Sequence, residues 1–343
     1  VIVVGAGGNI GSHLVRHLGR MPAIGRILLV DPDRYELSNL FGQDIEPRDC
    51  GRHKVAVQAA ALRRINPALK VETAAARVET LPLGALRGDV ILACLDSRAS
   101  RQSVNEAAWR LRVPWIDAGV EGGGLLARVN VYVPGKDAPC LECAWDERDY
   151  AALEQTYPCS SGPSAPATGA PSGLGALAAS LQAIECGKLL AGGPGRVAAG
   201  RQVLLDAAWH KHYVTEFRRN PSCRFDHGAW SIRRLECDPA RVTLAGLLCS
   251  GTPLSVPGRR FVRTLRCPGC GRSRRVFRLE PSAGGSCRRC GRAMLASGTE
   301  VVHALDGTLP ERILRRPLRA LGLRNGEVIS LGEAHFEIAG ESA

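Results

Sequence analysis

Two pairs of cysteines carry the clearest chemistry in this chain: Cys267 and Cys270 in CPGC, and Cys287 and Cys290 in CRRC, with sixteen residues between the pairs. A C-x-x-C turn presents two thiolates side by side, and two such turns close a tetrahedral structural Zn²⁺ site. So short a module cannot fold on an apolar core, and metal ligation supplies much of its folding free energy. A third pair, Cys140 and Cys143 in APCLEC, is half of another such site. A different chemistry is written at the start of the chain, where GAGGNIGSHL (5–14) follows the apolar run Val1-Ile2-Val3-Val4. Strand, glycine turn and helix in that order let backbone N–H groups and a helix N-terminus approach a phosphate. Gly5, Gly7, Gly8 and Gly11 are the candidate residues, but counting back from Gly11 gives Gly8 and then Ala6, so the strict dinucleotide spacing is missed by one position. By itself the turn admits NAD, ATP or no nucleotide.

These residues need a frame. IGRILLVDPDRYE reads as a second strand ending in acidic residues, VAVQAAALRRINP as a helix stopped by proline, and DVILACLDS as another buried strand. RQSVNEAAWRLR and VPWIDAGV continue the alternation, which predicts an α/β fold: a Rossmann-like, doubly wound open parallel sheet with helices on both faces. The composition then shifts to Gly, Pro, Ser and Ala, giving an expected flexible crossover loop at about 157–173 before the apolar helix LGALAASLQAIECGKLLAG and the strand RQVLLDAAW. The expected domains are 1–257, a zinc ribbon over 258–297 and a mixed C-terminal segment over 298–343. No apolar stretch reaches membrane-spanning length and no signal segment precedes the first strand, so a soluble, cytoplasmic protein without membrane contact is expected. Thirteen cysteines without a secretory signal fit a reducing compartment and metal binding. The chain opens inside a strand without an initiator Met, so an N-terminal segment is expected to be missing. The net charge of +12 is concentrated: from Arg259 to Arg292 eleven arginines face the single Glu280. Such a surface attracts an acidic protein or a nucleic acid, or is simply solvated.

Three stretches beyond the second strand separate the nucleotide candidates. DPDRYELSNLFGQDI, GRHKVAVQAA and CLDSRASRQSVNEAA run in an order that resembles the ThiF/MoeB/HesA family, the bacterial relatives of ubiquitin-activating enzymes, and the likeness extends through LQAIECGKLLAG and RNPSC to about residue 230. Taken singly, Asp31 and Asp33 read as solvated strand ends, Lys54 as a helix-start charge and Asp96 as the cap of the next helix. Their order at the ends of successive strands, where α/β sheets bind ligands, favours a site. The resemblance implies an adenylyltransferase that activates the C-terminal carboxylate of a ubiquitin-like or sulfur-carrier protein with ATP and Mg²⁺. It assigns Asp31 to the ribose, Asn39 and Gln43 to the nucleotide and phosphates, Lys54 to the phosphates, Asp96 to the magnesium, and Arg101 to a family arginine in the following helix. It also implies a homodimer.

The same resemblance places a second thiolate pair after the RNP turn, where this chain has Cys223 and His227; with Cys140 and Cys143 these make a Cys₃His zinc site, the first of two expected. Cys159 lies in the crossover loop, where many members carry a cysteine, and a thiol there can take the acyl group as a thioester. Cys50, Cys94, Cys186, Cys237 and Cys249 read as small apolar residues. Two departures from the family stand out. Gly42 occupies the position of an arginine before Gln43, with Arg52 and Arg98 as candidate substitutes, and the family's upstream arginine falls before residue 1. The expectation is therefore an active adenylyltransferase with an appended ribbon, against the alternative of a degenerate, zinc-stabilised scaffold that retains nucleotide affinity. An NAD-dependent oxidoreductase is disfavoured because no hydride-transfer pair accompanies the glycine turn.

Overall fold

The computed structural model describes residues 1–154, 169–192, 195–248, 251–280, 284–296 and 301–340. They form two compact units, Val1–Glu79 with Leu86–Ala229, and Thr80–Ala85 with Trp230–Ala343.

The first unit is built on a sheet whose strands are β1 (Ile2–Val4), β2 (Arg26–Val30), β3 (Lys70–Ala74), β4 (Ile91–Ala93), β5 (Trp115–Glu121), β6 (Leu126–Tyr132), β7 (Arg201–Asp206) and β8 (Lys211–Glu216), in the spatial order β3-β2-β1-β4-β5-β6-β7-β8. β3 to β5 are parallel neighbours. From β5 to β8 every pairing is antiparallel, so the expected parallel sheet is realised in five strands and a three-stranded meander extends it. The cause is local: turns of a few residues join β5 to β6 and β7 to β8, and short turns permit only antiparallel return.

The helices are α1 (Asn9–Leu18), α2 (Lys54–Ile65), α3 (Arg98–Leu111), α4 (Glu147–Glu154) and α5 (Ser172–Leu190). Val3, Leu29, Leu92 and Ile116 point to one side of the sheet and join Leu14 and Leu18 of α1, Leu62 of α2, and Ala178 and Ala179 of α5 in one core. Ile2, Val4, Ile91 and Trp115, one residue out of phase, are buried too. The central strands are thus covered on both faces, which is why they read as unbroken apolar runs. The chain leaves β1 for β2 and β3 on one side and returns to β4 on the other. The β1/β4 boundary is therefore the switch point where a doubly wound sheet leaves a crevice at its carboxyl edge.

The second unit contains β9 (Ile232–Leu235), α6 (Leu244–Leu247), β10 (Leu254–Ser255), β11 (Phe261–Arg266), β12 (Ser273–Leu279), β13 (Leu295–Ala296), β14 (Val301–Val302), β15 (Ala304–Leu305), α7 (Glu311–Leu314), β16 (Val328–Leu331) and β17 (Ala334–Ile338). Its strands form the sheet β15-β10-β16-β17-β9 and a smaller one centred on β11, which pairs β12, β13 and β14. The division differs from the sequence-based boundaries. Those boundaries assign residues 230–257 to the first domain, yet β9 pairs with β17 and β10 with β15 and β16. Residues 301–340 likewise share one core with this stretch, through Leu244, Leu254, Leu305, Leu318 and Ile329.

Candidate functional site

At the switch point the glycines have separate physical jobs. Gly5 has φ +77°, a left-handed conformation, and a Cβ there would collide with the Cys94 carbonyl. A Cβ on Gly11 would press into Gly5 and the Ala6 backbone, with the Ala6 carbonyl carbon at 2.8 Å. A Cβ on Gly7 would enter the stem of Lys54, whose Cδ lies 2.7 Å away. Gly8 is different, because its nearest neighbour would be Gly5 O at an ordinary 3.6 Å. It starts α1 with no side-chain cap, leaving first-turn N–H groups open toward the crevice.

Asp31 and Lys54 converge on this turn. The Asp31 carboxylate, 4% exposed, accepts from Gly7 N at 2.9 Å and from Asp33 N at 3.0 Å. Burial raises its pKa, while those N–H groups and the Lys54 charge oppose the rise. Lys54 opens α2; its stem is buried, and its ammonium lies 3.3 Å from Asp33 Oδ2 and 5.7 Å above the Tyr35 ring. A buried ammonium with one exposed carboxylate partner is placed to exchange that partner for a phosphate.

β4 delivers the other half. Val4 and Ala93 are in register, so Cys94 lies against Gly5 and Asp96 follows two residues later, exposed. The cap of α3 is Ser97, whose side chain accepts from Ser100 N, so Asp96 is not spent on capping. Arg101 donates to the Leu95 carbonyl and, at 2.8 Å, to Asp117 Oδ1. Arg128 donates to Asp117 Oδ2 at 2.9 Å, and Gly119 leaves room for that guanidinium. Asp117, fully buried in β5, thus holds two arginines. Sequence reasoning missed it because an Asp inside an apolar strand signals burial without naming its partner.

Asn39 is the third residue of the short 3-10 turn Leu37–Phe41, and Gln43 follows that turn after Gly42. Asn39 Oδ1 accepts from Glu36 N at 2.9 Å, and Gln43 Oε1 is buried without a partner among the described residues. A second missed residue ties this turn to the glycine turn: Asn9 Nδ2 donates to Gly42 O at 2.7 Å and to Ala170 O at 3.2 Å. A Cβ on Gly42 would sit 3.2 Å from Asn9 Nδ2, so the amide borders the space that a side chain at 42 would enter. The candidate substitutes for the missing arginine are already engaged, Arg52 with Asp49 and Arg98 with Asp149, each at 3.0 Å. The crossover cysteine, Cys159, lies outside the described residues, as does Cys249. The crossover's exit, however, is held by Asn9 and by His13 Nε2, 3.0 Å from Ser172 Oγ.

Both expected metal sets assemble. Cys140, Cys143, Cys223 and His227 bring one donor atom each to within 4.8 Å of one another. Cys140 Sγ is 3.8 Å from both Cys143 Sγ and Cys223 Sγ, and His227 Nε2 is 3.2 Å from Cys143 Sγ. Tetrahedral zinc–thiolate bonds of about 2.3 Å imply sulfurs roughly 3.8 Å apart, so the donors fit zinc. The hydrogen bond shared with Cys140 is the main cause holding Cys143 down to about 4, the thiolate a metal requires. His227 Nδ1 lies 2.7 Å from Phe225 O, which turns Nε2 to the sulfurs. Arg110 braces this turn from α3, donating to Asp226 at 2.6 Å and Gly228 O at 2.8 Å.

In the second unit Cys267 Sγ faces Cys290 Sγ at 3.3 Å, and Cys270 Sγ faces Cys287 Sγ at 3.5 Å. The two knuckles repeat one another: Cys267 N bonds Arg272 O and Gly271 N bonds Cys267 O, while Cys287 N bonds Arg292 O and Gly291 N bonds Cys287 O. Gly271 and Gly291 take the left-handed conformation each turn needs, at φ +71° and +72°. Backbone N–H groups of Arg289 and Cys290 bring the Cys287 thiol down to about 6.

A doubly wound sheet with a glycine turn, a buried acid and a buried lysine at its switch point, beside a Cys₃His cluster, places the first unit in the Rossmann-like class of α/β folds. Within that class, the ThiF family profile matches residues 1–225, and the chain belongs to the ThiF family. Ubiquitin-like modifier-activating enzyme 5 of Bombyx mori is 31% identical over 157 residues, covering 42% of this chain and 39% of that protein. The Gallus gallus enzyme of the same name is 32% identical over 158 residues, with the same coverage. The chain therefore spans about two fifths of the length of these curated relatives. Among solved structures, E. coli MccB with ATP shares the fold at a TM-score of 0.52 and 23% identity, over 65% of each chain.

Proposed function

We propose that this protein adenylates the C-terminal carboxylate of a ubiquitin-like or sulfur-carrier protein. The observation that carries the reading is the meeting of Gly5, Gly7, Gly8, Asp31, Lys54, Asp96 and Arg101 around one switch point. ATP lies along the glycine turn, with Asp31 at the ribose, Asn39 and Gln43 beside the nucleotide and phosphates, and Lys54 leaving Asp33 for a phosphate oxygen. The carrier's carboxylate oxygen attacks the α-phosphorus, the bond to the bridging oxygen breaks, and pyrophosphate leaves with the electron pair. Negative charge builds on phosphate oxygens in that step, and the Lys54 ammonium stabilises it, while Arg101, held by Asp117 and the Leu95 carbonyl, fixes the end of β4 that carries Asp96. Asp96 would hold Mg²⁺, which supplies Lewis-acid neutralisation of the departing pyrophosphate. Cys140, Cys143, Cys223 and His227 would hold one structural zinc ion, and Cys267, Cys270, Cys287 and Cys290 a second.

The test is ATP–pyrophosphate exchange with a candidate carrier. Exchange should depend on the carrier and vanish in Asp96→Ala; exchange that persists in the variant refutes the assignment. A second step belongs to the same proposal: the Cys159 thiolate attacks the acyl carbon and releases AMP, giving a thioester. Cys159→Ala then keeps exchange and loses the reductant-sensitive adduct with the carrier. A second reading, a nucleotide-retaining scaffold, is favoured by Gly42 in the arginine position and by the prior engagement of Arg52 and Arg98. ATP binding without exchange for any carrier would select it.

A further inference from the structure

The arginines of the second unit are not all alike. Arg259 pairs with Glu327 and Arg260 with Glu280, each at 2.6 Å, and Arg278 is half-buried opposite Val262. The remaining eight are exposed and have no ion pair among the described residues. Four lie on the β11–β12 hairpin, where Arg263 and Arg266 stand on one strand and Arg274 and Arg275 on the other. Four more ride on the knuckles: Arg272 and Arg292 at equivalent positions just past each turn, and Arg288 and Arg289 between the second pair of cysteines. Apart from Glu280, no acidic residue occurs between Phe261 and Thr299, so the segment itself supplies them no other carboxylate. Several are held in place: the Arg292 stem crosses Gly269, where a Cβ would lie 2.6 Å from its Cδ, and the Arg274 guanidinium covers Gly285.

By the strand register Arg266 and Arg275 project from one face of the hairpin and Arg274 from the other, so the hairpin presents charge on both sides, as a ribbon lying between two phosphate backbones would. Charge so arranged fits a polyanion, and the apolar content of the segment decides which. A protein partner needs a dehydrated apolar or aromatic centre to anchor it. Here Phe261 and Phe277 are buried, and Leu295 is the one large apolar side chain exposed among the described residues of the hairpin and knuckles. Binding to a phosphate backbone needs no such centre, since charge and counterion release drive it. The lack of an exposed ring in the same described segment also removes the stacking platform that single strands use. Guanidinium groups, rather than ammonium groups, suit bidentate phosphate contact.

We infer that the β11–β12 hairpin and its two knuckles form a docking surface for double-stranded nucleic acid, contacted through phosphates without sequence preference. The surface uses no residue of the first unit, so this inference does not rest on the proposed adenylation. It is tested on the zinc-loaded full chain by fluorescence anisotropy, using short DNA duplexes of two unrelated sequences, an RNA duplex, oligo-dT and poly-glutamate. Both DNA sequences should bind alike, with affinity falling about 10³-fold or more between roughly 50 and 200 mM salt if six or more phosphates are contacted. The triple variant Arg266→Gln, Arg274→Gln, Arg275→Gln should lower the salt slope by about one for each phosphate it no longer neutralises. Zinc content and circular dichroism report that the variant is folded, and the corresponding lysine triple variant should keep most of the slope. A stronger RNA-duplex signal identifies the duplex type and leaves the inference standing. No duplex binding at low salt, oligo-dT or poly-glutamate binding as tightly as duplex, or a folded glutamine variant that binds like the parent overturns it.

Discussion

Alanine at each glycine of the GAGGNIG turn gives a ranking that sequence alone does not supply. Gly5→Ala combines a left-handed φ of +77° with a collision against the Cys94 carbonyl, and Gly11→Ala drives a methyl into backbone that cannot rotate away. The left-handed conformation costs an L-residue about 1–2 kcal/mol. Overpacking adds about 1–3 kcal/mol. Gly5→Ala combines both and should lose about 3 kcal/mol or more, while Gly11→Ala, with an ordinary helical φ, should lose about 3 kcal/mol, the upper end of what a single overpacked methyl does. Gly7→Ala meets the stem of Lys54, a side chain that can shift, so its cost falls toward about 1 kcal/mol, with displacement of the ammonium from the turn. Gly8→Ala finds space at 3.6 Å and an ordinary φ of −71°, and costs only the loss of a preferred N-cap, about 1 kcal/mol or less. A unit of this size shifts its melting temperature by about 2–4 °C per kcal/mol. Differential scanning fluorimetry without nucleotide should show falls of roughly 6 °C or more for Gly5→Ala and Gly11→Ala and under about 4 °C for Gly8→Ala. Gly7→Ala should lie between in stability and lose ATP affinity beyond its thermal loss. A Gly8→Ala variant as damaged as Gly5→Ala, or a neutral Gly11→Ala, would refute the division of labour.

Arg110→Ala removes the brace on Asp226 and Gly228 O, so zinc should leave the Cys₃His cluster faster in a chelator-competition assay while the four-cysteine cluster keeps its rate. Asn9→Ala releases both Gly42 O and Ala170 O at about 0.5–1.5 kcal/mol for each hydrogen bond, and hydrogen exchange at residues 169–172 should accelerate while the core of β1 does not change. Burial lowers the pKa of His13 below its ordinary 6.5, against the raising effect of Asp44 and with the lowering effects of His17 and Arg16. The folded state therefore binds its proton less readily than the unfolded chain, and the stability His13 contributes is present above pH 6.5 and lost as pH falls through the lowered value. Denaturant titrations at pH 8 and pH 5.5 should show that loss in the parent and a smaller one in His13→Gln.

The ribbon's two pairs and the pair Cys140 and Cys143 were legible in the chain because a C-x-x-C turn is local, with spacing alone placing both sulfurs on one side; Cys223 and His227 were joined to the latter pair only by family resemblance. The glycine turn, the alternation of strand and helix, and the acidic end of β2 were readable for the same reason, since each depends on neighbours within a few residues. Family resemblance then ordered Asp31, Lys54, Asp96 and Arg101, which no spacing rule connects. The chain concealed the relations between residues distant in sequence. The pairing of β9 with β17 moved residues 230–257 into the second unit, and Asp117 became the shared anchor of Arg101 and Arg128 only when β5 and β6 lay side by side with α3 above. Nothing in the stretch GAGGNIGSHL singles out Asn9; its role exists only because folding brings Gly42 and Ala170 to its amide. Likewise, identical glycines acquire different tolerances because the Cys94 carbonyl and the Lys54 stem arrive from β4 and α2. Local spacing determines which groups a turn can present; the cost of a methyl or the partner of a buried charge depends on atoms that only tertiary packing brings near.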